Sequence, residues 1–229
     1  MTEQIKSAQE SRLFWDLMPA DKRAALLGIS KPKRYSKFDT LIETGEVTEC
    51  IFLIESGRVH ALAASQNDQE MTVRAFGPAS FVAWSFCFRR EPSLFDYVAQ
   101  TELKVHRIKV EDFEKLVQQD EYLMLCLLQV LIDRVDDAYI FIRDLLTESS
   151  LVRVAHLLGR LTLKFGKKEN GKFSLCEFSH QDIANFAGLS APQVSHALGV
   201  LEEKELVILG QREIQVIDAE KLSRLCLPA

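Results

Sequence analysis

No stretch of this sequence is long and apolar enough to cross a bilayer. The longest apolar run, Leu123–Leu128, falls far short of the roughly 20 residues that a spanning helix needs. Met1–Glu10 is polar and carries acids, so no secretory leader is expected and the cytoplasm is the expected compartment. Cysteine is scarce. The five residues Cys50, Cys87, Cys126, Cys176 and Cys226 are odd in number, widely spaced and never arranged as CxxC. That spacing argues against a disulfide framework and a zinc knuckle, and the cysteines read as small hydrophobes. No excess of positive charge is present either. Lys and Arg number 28 against 33 Asp and Glu, a net charge of −5, which is the wrong sign for a protein that coats nucleic acid. From Glu148 onward, however, acids and bases balance, and a neutral module can still bind DNA if its cations face one way. Catalytic signatures are missing as well. The chain has no GxxxxGK[ST], no HExxH and no GxSxG, and Asp136-Asp137 would point apart on a helix. An enzyme is not expected. No internal repeat or low-complexity tract appears.

What is present is a globular chain, 47% hydrophobic and 27% charged, whose texture changes along its length. Arg12–Gly28 reads as helical, interrupted at Pro19. Short strand-like runs follow at Arg34–Phe38, Thr40–Ile42, Cys50–Ile54, Arg58–Ala64, Met71–Phe76, Phe81–Val82, Tyr97–Thr101 and Leu103–Ile108. Gly45, Gly57, Asn67-Asp68 and Gly77-Pro78 punctuate them. Strands at this spacing predict a jelly roll or barrel with room for a ligand inside. A short helix is expected over Glu111–Val117 and a long one from Asp120 to about Leu146. Along the long helix Leu128, Leu131, Val135, Ala138, Ile142 and Leu145 repeat at heptad spacing. Leu127, Val130, Ile132, Ile140 and Phe141 are apolar too. The helix should therefore bury one face on its own barrel and the other on a second copy of the chain. The fold class is α+β, divided as 1–118, 119–147 and 148–229.

The strongest local signal lies in Ser179–Leu201. Ser179 with Asp182, and Ser190 with Gln193, each resemble a capping box that opens a helix. Gly188 stands between them, where a helix ends in a left-handed conformation. Ile183, Ala187, Leu189, Val194, Ala197 and Leu198 supply a buried side, and Ala184 allows a close crossing. The spacing predicts a helix-turn-helix whose second helix, Ala191 to about Lys204, enters the DNA major groove. Before it, Leu151–Lys164 reads as a helix, Gly166–Gly171 as a basic turn and Phe173–Phe178 as a strand. After it, Glu205–Ile208, Gly210-Gln211 and Glu213–Ile217 read as a β-hairpin wing, and Ala219–Cys226 as a closing helix.

This order of parts resembles the cyclic-AMP receptor protein / fumarate-nitrate reductase regulator (CRP/FNR) superfamily. The resemblance rests on Ile42–Glu46, Phe52–Val59, Phe76–Pro78, Ser179–Leu201 and the wing. It implies a cyclic-nucleotide-binding-like β jelly roll, a dimerisation helix and a winged helix-turn-helix, acting together in transcription regulation. The implied partners are double-stranded DNA, a second copy of the chain and RNA polymerase. Nucleotide-binding members carry a Glu for the ribose and an Arg for the cyclic phosphate. Here Trp84 stands at the Glu position, and Ser93 or Leu94 at the Arg position. A buried phosphate without a cation is costly, so cyclic AMP is not the expected effector. Arg89 and Arg90 lie nearby and could add to an anion site. Iron–sulfur members need cysteines near the N-terminus, whereas the first cysteine here is Cys50.

In place of the phosphate cassette stand Phe81, Trp84, Phe86, Phe88, Phe95 and Tyr97. Two readings are open: a barrel filled by its own side chains in a constitutive DNA-binding dimer, or a pocket for a small apolar or aromatic effector. The candidate pocket residues are Trp84, Phe86, Leu94, Tyr97, Arg134, Ala138 and Tyr139, with Arg134 stacking on Trp84 or meeting a ligand carboxylate. A haem-dependent gas sensor using His60, His106 or Cys87 is a third reading. On the DNA side, Gln193 is expected to contact adenine and His196 guanine, with Ala191 and Ser195 beside them. Phosphates are expected at Ser179, His180 and Gln181 and at Arg212 of the wing, with Arg153 and Lys164–Lys168 at the edge. No metal site is expected.

Overall fold

The computed structural model describes residues 14–64, 70–169, 172–176, 178–210, 213–218 and 221–222. It divides into two compact units, one ending at Val135 and one running from Asp136.

The first unit begins with α1 (Phe14–Leu17) and α2 (Ala20–Gly28). Pro19 separates them, because it lacks the N–H that a continuing helix would need. Its carbonyl instead accepts the Lys22 and Arg23 amides. Arg23 donates to the carbonyls of Met18 and Asp16 and so satisfies the end of α1. Eight strands follow: β1 (Ser30–Tyr35), β2 (Thr40–Ile42), β3 (Cys50–Ser56), β4 (Val59–Ala64), β5 (Glu70–Phe76), β6 (Phe81–Val82), β7 (Asp96–Ala99) and β8 (Leu103–Lys109). They form two antiparallel four-stranded sheets, ordered β1-β8-β3-β6 and β2-β7-β4-β5. One buried cluster runs through the two sheets and includes Ile51, Val59, Ala61, Phe76, Phe81, Ala99, Val105 and Ile108. The burial of four consecutive residues, Ile51–Ile54, has a direct cause. The outer face of this sheet is covered by α3 (Trp84–Arg89), packed on β3, and by α4 (Val110–Gln118), packed on β8.

Several local expectations need correction. The strand expected over Arg34–Phe38 lies earlier, at Ser30–Tyr35. The Asp39 carboxylate takes the Ser36 amide at 2.8 Å and turns the chain, leaving Phe38 at φ 72° and exposed. No periodicity announced α3, since WSFCFR is too short to show one. It is bounded by left-handed residues, Ala83 at φ 69° and Arg90 at φ 56°.

The long helix α5 runs Glu121–Thr147. The Asp120 carboxylate accepts the Leu123 amide and pairs with Lys22 at 2.5 Å. Leu123, Cys126 and Val130 are buried, and Leu127 and Phe141 partly so. Ile132 and Ile140, expected to face the barrel, are exposed. Ile132 lies one turn beyond Leu128 and joins its stripe. That stripe (Leu128, Leu131, Val135, Ala138, Ile142 and Leu145) is solvent-exposed along its length.

In the second unit the end of α5 is followed by α6 (Ser150–Phe165), β9 (Lys167–Glu169), β10 (Lys172–Cys176), α7 (His180–Ala187), α8 (Ala191–Glu203), β11 (Val207–Leu209) and β12 (Glu213–Val216). β9 occupies part of the segment expected to be a basic turn, because its backbone pairs with β10. The sheet order is β11-β12-β10-β9. Most of the expected closing helix lies outside the described residues. Asp144 on α5 is only 2% exposed. It receives Arg143 at 2.8 Å, His156 at 2.8 Å and Arg160 at 3.4 Å, so the buried carboxylate joins α5 to α6. Burial lowers the pKa of Arg160, while Asp144 and Asp137 act in the opposite direction.

Gly57 closes the β3–β4 turn at φ +97°. A Cβ there would collide with the carbonyl oxygen of Glu102 and sit 3.0 Å from Leu103 Cα. Both contacts are backbone and cannot rotate away. Gly57→Ala is therefore expected to destabilise the protein by about 2 kcal/mol or more. A urea-unfolding midpoint equal to that of the parent would disprove this account of the turn.

Candidate functional site

The helix-turn-helix is built by local chemistry. Ser179 Oγ accepts the Asp182 amide at 3.1 Å, and Asp182 Oδ2 accepts the Ser179 amide at 2.7 Å. Ser190 and Gln193 repeat the arrangement, at 3.4 Å and 2.9 Å. Each box satisfies amides that a helix start leaves without partners. Gly188 takes φ 62° and ends α7. Val194, Ala197, Leu198 and Leu201 face the core, so Pro192, Gln193, Ser195 and His196 are left on the outer face, with Ala191 half-buried. Ser179, His180 and Gln181 are exposed at the start of α7, and His180 Nδ1 lies 3.2 Å from Ser195 Oγ. One compact polar surface thus contains all of the expected DNA-facing residues except Arg212, which lies outside the described residues.

Two of the expected roles change. The Gln193 carbonyl is taken by the Ser190 amide and hydroxyl, so in this rotamer the side chain does not offer both amide atoms to a base. Arg153 does not present its charge at the edge. Its guanidinium donates to the carbonyls of Ala187 and Gly188, where it completes the C-terminus of α7.

The second candidate site is a cavity of about 180 Å³ in the first unit. It is lined by Ala61, Val73, Arg74, Phe76, Ala83, Trp84, Ser85, Phe86, Phe95, Tyr97 and Arg134. Strand register explains the polar side. Ala61 on β4 stands opposite Tyr97 on β7 and Arg74 on β5, which makes one cross-strand row. The pairing then slips, so that Leu62 meets Thr72 and Val73 is left as the extra residue. A bulge of this kind re-aims side chains, which accounts for consecutive residues Val73 and Arg74 both reaching the cavity. Phe76 follows Arg74 on the same strand face. The aromatic side comes from α3 and the loop after it. Phe86 packs edge-on against Phe95 and Tyr97, at 6.2 and 6.4 Å between ring centres. Arg134, on α5, lies over the Trp84 ring at 4.0 Å and donates to the Phe81 carbonyl at 3.4 Å.

The expected pocket residues divide accordingly. Trp84, Phe86, Tyr97 and Arg134 line the cavity. Leu94 does not. It is 68% exposed, because Ser93 is pinned by Glu46, Gly45 and Phe95 and turns its neighbour outward. Ala138 and Tyr139 belong to the other compact unit. Arg89 and Arg90 pair with Glu91 and Glu114 away from the cavity. The haem candidates do not line it. His60 alternates with Ala61 on β4, His106 approaches Ser30 and Glu55, and the Cys87 thiol donates to the Cys50 carbonyl. Sequence reasoning named Phe95 in the aromatic segment but missed Arg74, Val73 and Ser85 as lining residues. Among the described residues, no group of three or more His, Cys, Asp or Glu side chains could hold a metal. No described helix is long and apolar enough to cross a membrane.

Comparison with known proteins agrees with this architecture. The family model for a cyclic nucleotide-binding domain matches residues 32–120, and that for a Crp-like helix-turn-helix domain matches residues 152–225. The cyclic AMP receptor protein of Thermus thermophilus is 27% identical over 225 residues, 94% of this chain and 96% of that protein. The cAMP-activated global transcriptional regulator Vfr of Pseudomonas aeruginosa is 26% identical over 186 residues, 80% and 87% of the two chains. The solved structure of FixK2 from Bradyrhizobium japonicum shares the fold, with a TM-score of 0.73 at 18% identity over 88% of this chain and 99% of that one. The class is a cyclic-nucleotide-domain protein joined to a DNA-binding helix-turn-helix. The chain belongs to the CRP/FNR family of transcription regulators. Its relatives are regulators and not enzymes.

Burial pushes the Tyr97 phenol up to about 12 from an ordinary value of 10.0, against the pull of Arg134 and Arg74. A group whose pKa is raised by folding stabilises the native state below the unfolded value. That contribution is lost as pH rises through the folded one. A tyrosinate absorbance titration should therefore contain a component near pH 12 that disappears in Tyr97→Phe. Loss of a component near 10 instead would place the phenol in water.

Proposed function

We propose that the chain is a homodimeric, ligand-responsive regulator that reads a specific DNA sequence, and that its effector is not cyclic AMP. The observation carrying the ligand response is the shared role of Arg134. This residue lines the cavity and belongs to α5, so an occupant that touches its guanidinium acts directly on the long helix. Occupancy changes the output only if the ligand prefers one helix arrangement over the other. The relatives described above carry cyclic AMP in their names. In this chain Trp84 replaces a ribose-binding carboxylate, and about 180 Å³ is small beside the roughly 300–1,000 Å³ usual for ligands of larger size.

The homodimer rests on the exposed heptad stripe of α5. A row of Leu, Val and Ile residues at 3-4 spacing is self-complementary when two copies pair about a twofold axis. In that pairing two α8 helices would address half-sites about 34 Å apart. The functional division follows the same lines, with sensing in residues 1–118, dimerisation in 119–147 and DNA binding in 148–229. His196, Ser195 and Ala191 read base edges. Ser179, His180, Gln181 and Arg212 hold phosphates. Gln193 reads a base only when its amide leaves the capping box.

Two measurements test this reading. Leu131→Lys places a charge in the stripe and should turn the dimer into a monomer in sedimentation. Affinity for a site selected from random duplexes should fall at least tenfold with it. A charged variant that stays dimeric would remove the stripe from the interface. For the DNA surface, Gln193→Glu retains an acceptor for the Ser190 amide but loses the amide donor. Thermal stability should be kept while specific binding weakens by about 1–3 kcal/mol. Gln193→Ala should lose about 1 kcal/mol of stability as well. Unchanged operator affinity in both variants would leave Gln193 as a cap alone.

A further inference from the structure

We propose that the occupant of the cavity is a small single-ring aromatic carboxylate, its ring held by Trp84, Phe86 and Phe95 and its anionic end by Arg74, Arg134 and Tyr97. This inference rests on the reading of the chain as ligand-responsive and specifies the chemistry of that same site.

Size sets the first limit. An apolar cavity of about 150 Å³ accommodates benzene. A cavity of about 180 Å³ therefore matches one ring with a short polar substituent. The walls set the second limit. Trp84 and Tyr97 are buried, Phe86 and Phe95 are partly buried, and Phe86 packs edge-on against Phe95 and Tyr97, so an occupant meets ring faces and edges, the surfaces that aromatic rings prefer to pack on.

Charge sets the third limit. Two guanidiniums line the cavity, and no carboxylate is found among the described lining residues. Asp96 alternates with Tyr97 along β7, and its carboxylate accepts the Thr44 amide at 2.6 Å. Both Arg74 and Arg134 act on the ionisation of Tyr97, so the three groups lie within electrostatic reach of one another. The phenol stays protonated at neutral pH and so serves as a hydrogen-bond donor. A carboxylate meeting two guanidiniums and one phenol O–H has its oxygens matched by donors alone. The two arginines come from different elements, Arg74 from the β5 bulge and Arg134 from α5. A carboxylate bridging them would tie the sheet to the long helix, whereas a neutral ring would not.

The test uses the full chain with three probes: benzoate, benzamide and acetate. Binding is followed by Trp fluorescence and by calorimetry. Benzoate should bind at least tenfold more tightly than benzamide, which has the ring without the charge. It should exceed acetate, which has the charge without the ring, by a similar factor. Arg74→Gln should lower benzoate affinity at least tenfold and leave benzamide unchanged. Arg74→Lys should restore part of the loss, which separates a lost charge from a misfolded barrel. Benzoate and benzamide binding equally would overturn the anionic assignment and leave a ligand-responsive barrel standing. Acetate equalling benzoate would overturn the aromatic one. Failure of all three probes, with DNA affinity unaffected by their presence, would overturn the proposal. Loss of the ligand response itself is read separately, by whether cell extract of small molecules shifts DNA affinity in the parent protein and not in Trp84→Ala.

Discussion

A 27-residue helix with apolar side chains on more than one face cannot be covered by a single partner, and the architecture of this protein follows from that constraint. One stripe of α5, through Leu123, Cys126 and Val130, is buried in the first unit. A second stripe, from Leu128 to Leu145, stays exposed and repeats every three and four residues. Contiguous apolar surface of this kind on a folded chain marks an interface. The same helix carries, at its other end, the buried Asp144 that binds α6. The carboxylate holds Arg143, His156 and Arg160, so removing it would take away the shared acceptor of three side chains, two of them on α6.

The cavity depends on details finer than the fold. Its polar row exists because β4 aligns Ala61 with Tyr97 on one side and Arg74 on the other, and because the pairing slips at the next residue. A regular ladder would place Val73 and Arg74 on opposite faces. The aromatic wall exists because Ala83 turns left-handed and starts a six-residue helix that carries Trp84 inward.

Capping, turn formation and periodicity were legible without coordinates because each is decided within a few residues. Ser179 with Asp182, Gly188, and Ser190 with Gln193 all occupy the positions their spacing implies. The order of strands was readable from Gly and Pro punctuation, and the exposed stripe of α5 from its heptads. Trp84 with Arg134 was readable because family position brings the two together, and they stack at 4.0 Å. Leu94 was misjudged. Position in a motif does not reveal that Ser93, held by Gly45, Glu46 and Phe95, directs the next side chain to solvent. Arg153 was misjudged for a related reason: its partners are carbonyls more than thirty residues away.

What the amino-acid order settled by itself is most of the local elements and the helix-turn-helix, since short-range hydrogen bonds and hydrophobic spacing determine these, while its motifs carried the resemblance to a family of regulators. Tertiary structure alone decided which side chains meet across strands. Arg74 became a lining residue through a register slip, Arg153 completed the end of α7 from another helix, and Asp144 became a buried hub through the approach of α6. Such contacts join residues distant in sequence, and their geometry is set by the packing of whole elements rather than by the preferences of any one residue.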